Sequence, residues 1–291
     1  MLFNVLIYVL VLYMFFSFMT VKKRTKKNQK LISVISSVRH PEEFYVDIED
    51  LINETAGKDP EMEHKARIVK LWGMTYNKNY FKFEETLNEI NLNALVRNIK
   101  GHSDIQANED SFFYFMLAVP NMLAADGQKE LRELVDAKLK EAESILDKQL
   151  ITALYENFNK FYDETDDKGV AFYEDVLAGE YAGYYYSKSL IGLYKDLVTC
   201  MLAQVYVDNG ETEKYEEVKA DVERFMKSGV GERWIRNLNL PVKLPVYDED
   251  GYLVEEEEKE ETADTAEVPD TPLIAEEAES KEESEDKESE E

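Results

Sequence analysis

The sequence predicts an all-α protein in which stacked helical hairpins follow one transmembrane helix and precede a disordered acidic tail. Three observations indicate this organisation: an uncharged apolar N-terminal stretch, a helical spacing of apolar residues through the middle of the chain, and an excess of Glu and Asp at the end. The predicted segments are a transmembrane helix (1–21), a basic stem that begins a helix (22–40), a helical domain (41–240), an extended segment (241–254) and a disordered tail (255–291).

The N-terminal stretch has the length and composition of a membrane anchor. Residues 2–20 carry no charge, and a helix of this length, at about 1.5 Å per residue, crosses a hydrocarbon core of roughly 30 Å. A cleaved signal peptide would need a basic start, a shorter apolar core and a small-residue cleavage site, none of which is present. The anchor is followed by a basic cluster, so the positive-inside rule predicts a single-pass cell-membrane protein with its N-terminus outside and its C-terminal domain in the cytoplasm.

The basic cluster is also the segment best placed to contact anionic lipid headgroups. The residues predicted to do so are Lys22, Lys23, Arg24, Lys26 and Lys27.

Charge and cysteine content exclude some classes of protein. The formal net charge is −27, and residues 248–291 hold 22 acidic residues and only three lysines. Because phosphate contacts need Lys or Arg, we expect no nucleic-acid partner.

The low hydrophobicity and the predominantly negative charge of residues 255–291 predict disorder. The single cysteine, Cys200, leaves no intrachain disulfide and suits a reducing compartment.

The middle of the chain has the apolar period of helices. In residues 187–208, Leu190, Tyr194 and Leu197 begin a stripe that continues at intervals of three and four, and Asn209-Gly210 is a helix stop that leads directly into a second helix. Similar hairpins are predicted to start near residues 59, 111 and 148. Other predicted features are helix starts at Pro41 and Asp59-Pro60, a second helix over residues 81–99, a kink at Pro120, and an extended or hairpin segment after Pro241.

These hairpins resemble the tetratricopeptide repeat (TPR) family. The segment LAQVYVDNGETEKY carries the resemblance, with Leu202-Ala203 at the large-small pair of the first helix and Gly210 at the turn. It departs from the family at Tyr215, where a small residue is usual, and in lacking the closing proline. The resemblance implies an irregular TPR-like α-solenoid with a concave groove that binds protein or peptide partners. The implied groove residues are Arg67, Lys70, Met74, Asn77, Leu197, Cys200, Gln204 and Asp208.

No catalytic motif is present in the sequence. His40, His64 and His102 lack the spacing of a metal site, Cys200 sits among apolar residues, and the Gly-rich phosphate loops are absent. We therefore expect no enzymatic activity, cofactor or metal. Two functions remain open: a membrane-anchored cytoplasmic adaptor that binds exchangeable partners through its helical domain, and a structural or assembly subunit of a membrane complex with no exchangeable client.

Overall fold

The structure, a computed structural model, describes residues 25–99 and 102–246. Of these residues, 71% are helical and 3% lie in strands, and the helices pack in adjacent pairs. The prediction of a mostly helical domain built from paired helices is therefore confirmed. The predicted span (1–21), part of the basic stem and most of the segment after Pro241 lie outside the described residues. Within the described ranges, no helix is both long and apolar enough to cross a bilayer.

The first helices are α1 (25–36), α2 (Pro41–Thr55) and α3 (Pro60–Tyr76), with a 3₁₀ turn at Ser37–Arg39. The predicted starts of α2 and α3 are confirmed. The carboxylate of Asp59 accepts a hydrogen bond from the backbone N–H of Met62 (3.2 Å), which satisfies a donor that has no partner inside the helix. Helices α2 and α3 then pack along each other.

The predicted second helix over residues 81–99 is wrong in its length. Only α4 (Phe83–Asn88) is α-helical; a 3₁₀ turn at Leu92–Leu95 follows, and strands β1 (Arg97–Ile99) and β2 (His102–Asp104) form an antiparallel ladder with Asn98 opposite Ser103. The side chain of Asn91 accepts a hydrogen bond from the backbone N–H of Asn93 (3.1 Å). This bond makes Asn91 the N-cap of the 3₁₀ turn, which starts after α4 has ended at Asn88.

The remaining helices continue the pattern of adjacent packing. They are α5 (Glu109–Phe112), a π-helical turn (Phe113–Ala118), α6 (Val119–Ala125), α7 (Lys129–Lys140), α8 (Glu143–Leu146), α9 (Leu150–Tyr162), α10 (Val170–Ala178), α11 (Ile191–Asp208), α12 (Thr212–Met226) and α13 (Gly229–Ile235). Gly210 has a positive φ of 72° and ends α11 as predicted, after which α12 packs back along α11. Residues 241–246 form no helix or strand, and the rest of the predicted extended segment lies outside the described residues.

The close packing of α2 on α3 depends on Gly73. A Cβ at this position would lie 2.1 Å from Cζ of Phe44, a ring with no solvent exposure. We expect Gly73→Ala to lower the free energy of unfolding by about 1.5 kcal/mol, because the ring must tilt away from α3. The measurement is chemical denaturation of the full chain in dodecyl maltoside. A Gly73→Ala/Phe44→Leu double variant should show part of this loss relieved, and strictly additive effects would contradict the contact.

Candidate functional site

A small cleft with a volume of about 30 Å³ and a mouth open to solvent lies between α3, the π-helical turn with α6, and α13. Its lining is mainly aromatic and apolar, with a single charged side chain. We call it the aromatic cleft. Its lining residues are Trp72, Phe113, Tyr114, Ala118, Asn121, Met122, Val230, Arg233, Trp234 and Asn237.

One side of the aromatic cleft is shaped by the π-helical turn before Pro120. Proline has no N–H to donate four residues back, and its ring crowds the preceding turn. The backbone widens there, and the N–H of Val119 donates to the carbonyl of Tyr114, five residues earlier. The predicted irregularity at Pro120 thus takes the form of a π turn, which is frequent at functional sites. This turn carries Phe113, Tyr114 and Ala118 into the cleft.

The other side is the short helix α13, which side-chain hydrogen bonds fix at its N-terminus and at its centre. The Ser228 hydroxyl accepts a hydrogen bond from the N–H of Gly231 (2.9 Å), so Ser228 is the N-cap. The buried carboxylate of Glu232 accepts from Arg39 (2.9 Å) and Arg236 (2.8 Å), which ties α13 to the 3₁₀ turn after α1. The glycine-containing stretch SGVGERW therefore begins α13 directly after α12 ends at Met226.

Both tryptophans of the chain line this cleft. The Trp72 ring lies 5.0 Å from that of Tyr114, and the Trp234 ring lies 5.5 Å from that of Phe158. Each tryptophan is only 3% exposed. The Nε1–H of Trp234 is buried and has no hydrogen-bond partner among the described residues. Buried donors of this kind are rare in native proteins because an unmet donor costs about 1–3 kcal/mol.

Arg233 supplies the positive charge of the aromatic cleft. Its guanidinium lies 5.3 Å from the Trp72 ring, within the range of a cation–π contact. Its Nε donates to the carbonyl of Gly229 (2.6 Å), which fixes the direction of the side chain. Burial raises the pKa of the Tyr114 hydroxyl beside it, while the Arg233 charge acts in the opposite direction. The tyrosine therefore stays a neutral lining residue at physiological pH.

A second, more polar recess of about 390 Å³ shares Asn121 and Asn237 with the aromatic cleft. We call it the polar recess. The Asn237 amide donates to the Asn121 carbonyl oxygen (2.7 Å), and the Asn121 amide donates to the Tyr162 hydroxyl (3.1 Å). Farther along, Lys168 forms an ion pair with Asp208 at 3.2 Å. The recess combines amides, opposite charges and the Phe161 ring, so it can bind polar groups.

The predicted groove residues of α3 do not come together at a surface. Arg67 forms ion pairs with Glu63 and Glu89, and Lys70 forms one with Glu49 (2.7 Å).

Met74 is only 3% exposed, so its assignment to an exposed groove is wrong; it belongs to the core cluster. Asn77 is half-buried at the C-terminus of α3, where its N–H donates to the carbonyl of Gly73.

The predicted residues of α11 are divided between the core and the polar recess. Leu197 and Cys200 have no exposed area, so the prediction that they face a groove is wrong. Burial raises the pKa of the Cys200 thiol, which opposes formation of a thiolate nucleophile. Gln204 is also buried; it donates to Asp208 (2.7 Å) and accepts from the N–H of Asn239 (2.6 Å). Asp208 alone of the α11 set lines a recess.

Of the predicted lipid-contacting residues, Lys22, Lys23 and Arg24 lie outside the described residues. Lys26 is exposed on α1, and Lys27 is half-buried in an ion pair with Asp59 at 2.7 Å. Lipid contact by these side chains stays a prediction.

Sequence reasoning missed the residues that form the aromatic cleft. The two tryptophans are 162 positions apart, and Phe113 and Tyr114 lie between them on a third segment, which no local period connects. The only feature of the sequence that could have indicated the cleft is that Arg233 and Trp234 are adjacent and follow two glycines. Within residues 25–99 and 102–246, no group of three or more His, Cys, Asp or Glu residues is arranged to hold a metal ion.

No protein-family model matches this chain, and neither a curated protein nor a solved structure is significantly similar to it.

Proposed function

We propose that this protein is a membrane-anchored cytoplasmic adaptor whose TPR-like helical domain binds a segment of a partner protein in the aromatic cleft. The single observation that carries the proposal is the cleft itself, in which two tryptophans, one unpaired indole N–H and one arginine meet. Aromatic side chains and arginine dominate the energetics of protein interfaces. The TPR-like arrangement is supported by the adjacent helix pairs and by the Gly210 turn between α11 and α12.

Membrane attachment completes the proposal. The uncharged stretch at residues 2–20 followed by the basic cluster supports a single-pass anchor with the helical domain on the cytoplasmic side. Tethering raises the effective concentration of a captured segment near the membrane. Modest affinity in the cleft is therefore sufficient for the adaptor.

A photo-crosslinking residue tests the adaptor in native membranes. Benzoylphenylalanine in place of Val230, which lines the cleft, is expected to give a discrete protein adduct. The matched control places it at Val46, which is 62% exposed and does not line the cleft. In a pulse-chase design, newly made partner should enter the Val230 adduct, because an adaptor exchanges its clients. Absence of an adduct at Val230 would refute the proposal.

The same experiment separates the adaptor from a permanent complex subunit. The subunit alternative is favoured by large apolar side chains that are well exposed outside the cleft: Ile32 (62%), Val46 (62%) and Phe81 (76%). Such residues mark an interface when a second protein covers them. A strong adduct at Val46 that never exchanges during the chase would support the subunit and exclude the adaptor.

A further inference from the structure

Arg233 differs from the other arginines of the described residues in its charge partners. Arg39, Arg67 and Arg97 each form an ion pair with a carboxylate, as do Arg132, Arg224 and Arg236. Within the described ranges, Arg233 forms none, although the chain carries a net charge of −27. An arginine held over a tryptophan, with its guanidinium Nη groups directed to no carboxylate, is arranged to receive an anion from elsewhere.

The neighbouring Trp234 supplies a second, independent requirement for a ligand. Its indole N–H is buried and has no acceptor in the part of the chain that the structure describes, and Trp234 directly follows Arg233 and lines the same cleft. A ligand oxygen beside this N–H would satisfy the donor. The aromatic and apolar walls of the cleft require that the rest of the bound group be apolar. The two observations together define an apolar group with an anionic oxygen close to it.

The polar recess indicates that this ligand is extended. It adjoins the aromatic cleft through Asn121 and Asn237. Each amide has more hydrogen-bonding groups than the bonds it makes inside the chain. Asn237 uses one N–H for Asn121, which leaves its carbonyl oxygen for a peptide N–H. A chain of several peptide units can occupy both cavities, whereas a small apolar acid fills only the first.

We propose that the aromatic cleft binds an extended, acidic peptide segment, with an apolar side chain over the mouth of the cleft and an adjacent carboxylate on Arg233. The proposal rests on the proposed function, since it names the chemistry of the partner that the adaptor captures. The carboxylate of the peptide forms charge-assisted hydrogen bonds with the guanidinium. A peptide oxygen accepts the Trp234 indole N–H, and the backbone continues past Asn121 and Asn237.

A synthetic peptide array tests this specificity with the full chain in dodecyl maltoside. The probes are acetylated hexapeptides in which Leu, Ile, Met or Phe is followed by Glu, by Gln or by Lys, all without tryptophan. We expect the Glu peptides to bind about tenfold more tightly than their Gln counterparts, as for a charge-assisted pair, and the Lys peptides to bind most weakly. Because both tryptophans of the chain line the cleft, quenching or a shift of their emission confirms the site for the best peptide.

Two matched variants assign the preference to one guanidinium. Arg233→Gln should bind the Glu and Gln peptides equally, about tenfold more weakly than the wild type binds the Glu peptides. Arg224→Gln, which removes the same charge from the exposed face of α12 and outside the cleft, should retain the preference. Trp234→Phe keeps an aromatic ring, although a smaller one, and loses the indole N–H, so it should weaken every peptide several-fold on the array. Circular dichroism of each variant verifies that the helices are intact.

The outcomes separate this proposal from the adaptor function. Equal binding of Glu and Gln peptides, unchanged in Arg233→Gln, overturns the acidic-peptide assignment while a Val230 adduct still supports the adaptor. Failure of every peptide to bind also overturns it, and failure of both experiments removes the two proposals together. Sedimentation of the chain alone shows whether a second copy fills the cleft instead; concentration-dependent dimerisation lost on Arg233→Gln would overturn the peptide assignment in favour of self-association.

Discussion

Gly231→Ala is expected to lower the free energy of unfolding by about 3 kcal/mol, a larger loss than that expected for Gly73→Ala. A Cβ at Gly231 would lie 2.0 Å from the carbonyl oxygen of Phe225 and 2.5 Å from its carbonyl carbon. These are backbone atoms at the end of α12, and they cannot rotate away as a side chain can. The junction between α12 and α13 must therefore open to admit the methyl group.

Gly229→Ala provides the matched control, two residues earlier in the same short helix. There the nearest atom to an added Cβ is a terminal guanidinium nitrogen of Arg233, at 3.2 Å. This flexible group can move, and alanine is a better helix former than glycine by up to about 1 kcal/mol. We expect Gly229→Ala to be neutral or slightly stabilising. Chemical denaturation of the full chain in dodecyl maltoside measures both variants.

The Gly231 variant also tests whether α13 positions the cleft. Opening the α12–α13 junction moves Arg233 and Trp234, which follow Gly231 in the same helix. Tryptophan emission should therefore shift in Gly231→Ala before global unfolding, while Gly229→Ala keeps the wild-type spectrum. Equal stability of the two glycine variants would show that α12 and α13 do not approach as closely as this contact requires.

The parts of the fold that sequence predicted correctly are those fixed by local chemistry. Asp59-Pro60 begins α3 because the carboxylate caps a free N–H, and Gly210 ends α11 because glycine accepts the positive φ. Both signals act within a few residues, so the helix boundaries they set do not depend on distant packing. The pairing of α11 with α12 follows from the short connection between them.

The parts that sequence did not predict depend on contacts between distant segments. Leu197 and Met74 carried groove assignments from the repeat resemblance, but the apolar surface of their helices is wide enough to be covered on several sides. The predicted second helix ends at Asn88, and a 3₁₀ turn capped by Asn91 then leads into β1. The aromatic cleft forms only when α13 packs near α3. The spacing of Trp72 and Trp234 in the sequence does not predict this packing.

Tyr194→Phe is expected to lower the free energy of unfolding by about 2.5 kcal/mol at neutral pH. The Tyr194 hydroxyl donates to Glu109 at 2.6 Å, and the N–H of Ser187 donates to the same carboxylate at 2.5 Å. Glu109 is 1% exposed and Tyr194 fully buried. Loss of the hydroxyl leaves a buried carboxylate with one donor in place of two, which destabilises the ionised form most.

The titration of Glu109 also makes the stability of the fold depend on pH, in a direction that follows from its pKa shift. Burial raises the pKa of the Glu109 carboxyl above the ordinary glutamate value; nearby Asp104 and Asp110 add to the shift, and the Tyr194 and Ser187 bonds reduce it. The folded state therefore holds a proton at pH values where the unfolded chain has lost it. Linkage then requires that the contribution of Glu109 to stability be fully present below the unfolded pKa of about 4.3 and be lost as the pH rises through the higher folded pKa.

Glu109→Gln removes this titration while it keeps the shape and a workable hydrogen-bond pattern. The amide oxygen can accept from Ser187, and the amide group can donate to the Tyr194 oxygen. The stability of Glu109→Gln relative to the wild type should therefore increase from about pH 4 upward and level off above the folded pKa. Glu63→Gln is the control of opposite sign: the Arg67 hydrogen bond lowers the pKa of Glu63, so the relative stability of that variant should decrease as the pH rises to about 4.3, the unfolded pKa, and stay level above it. Parallel curves for the two variants would show that Glu109 does not titrate as a buried carboxyl, and the loss in Tyr194→Phe would then reflect the hydroxyl alone.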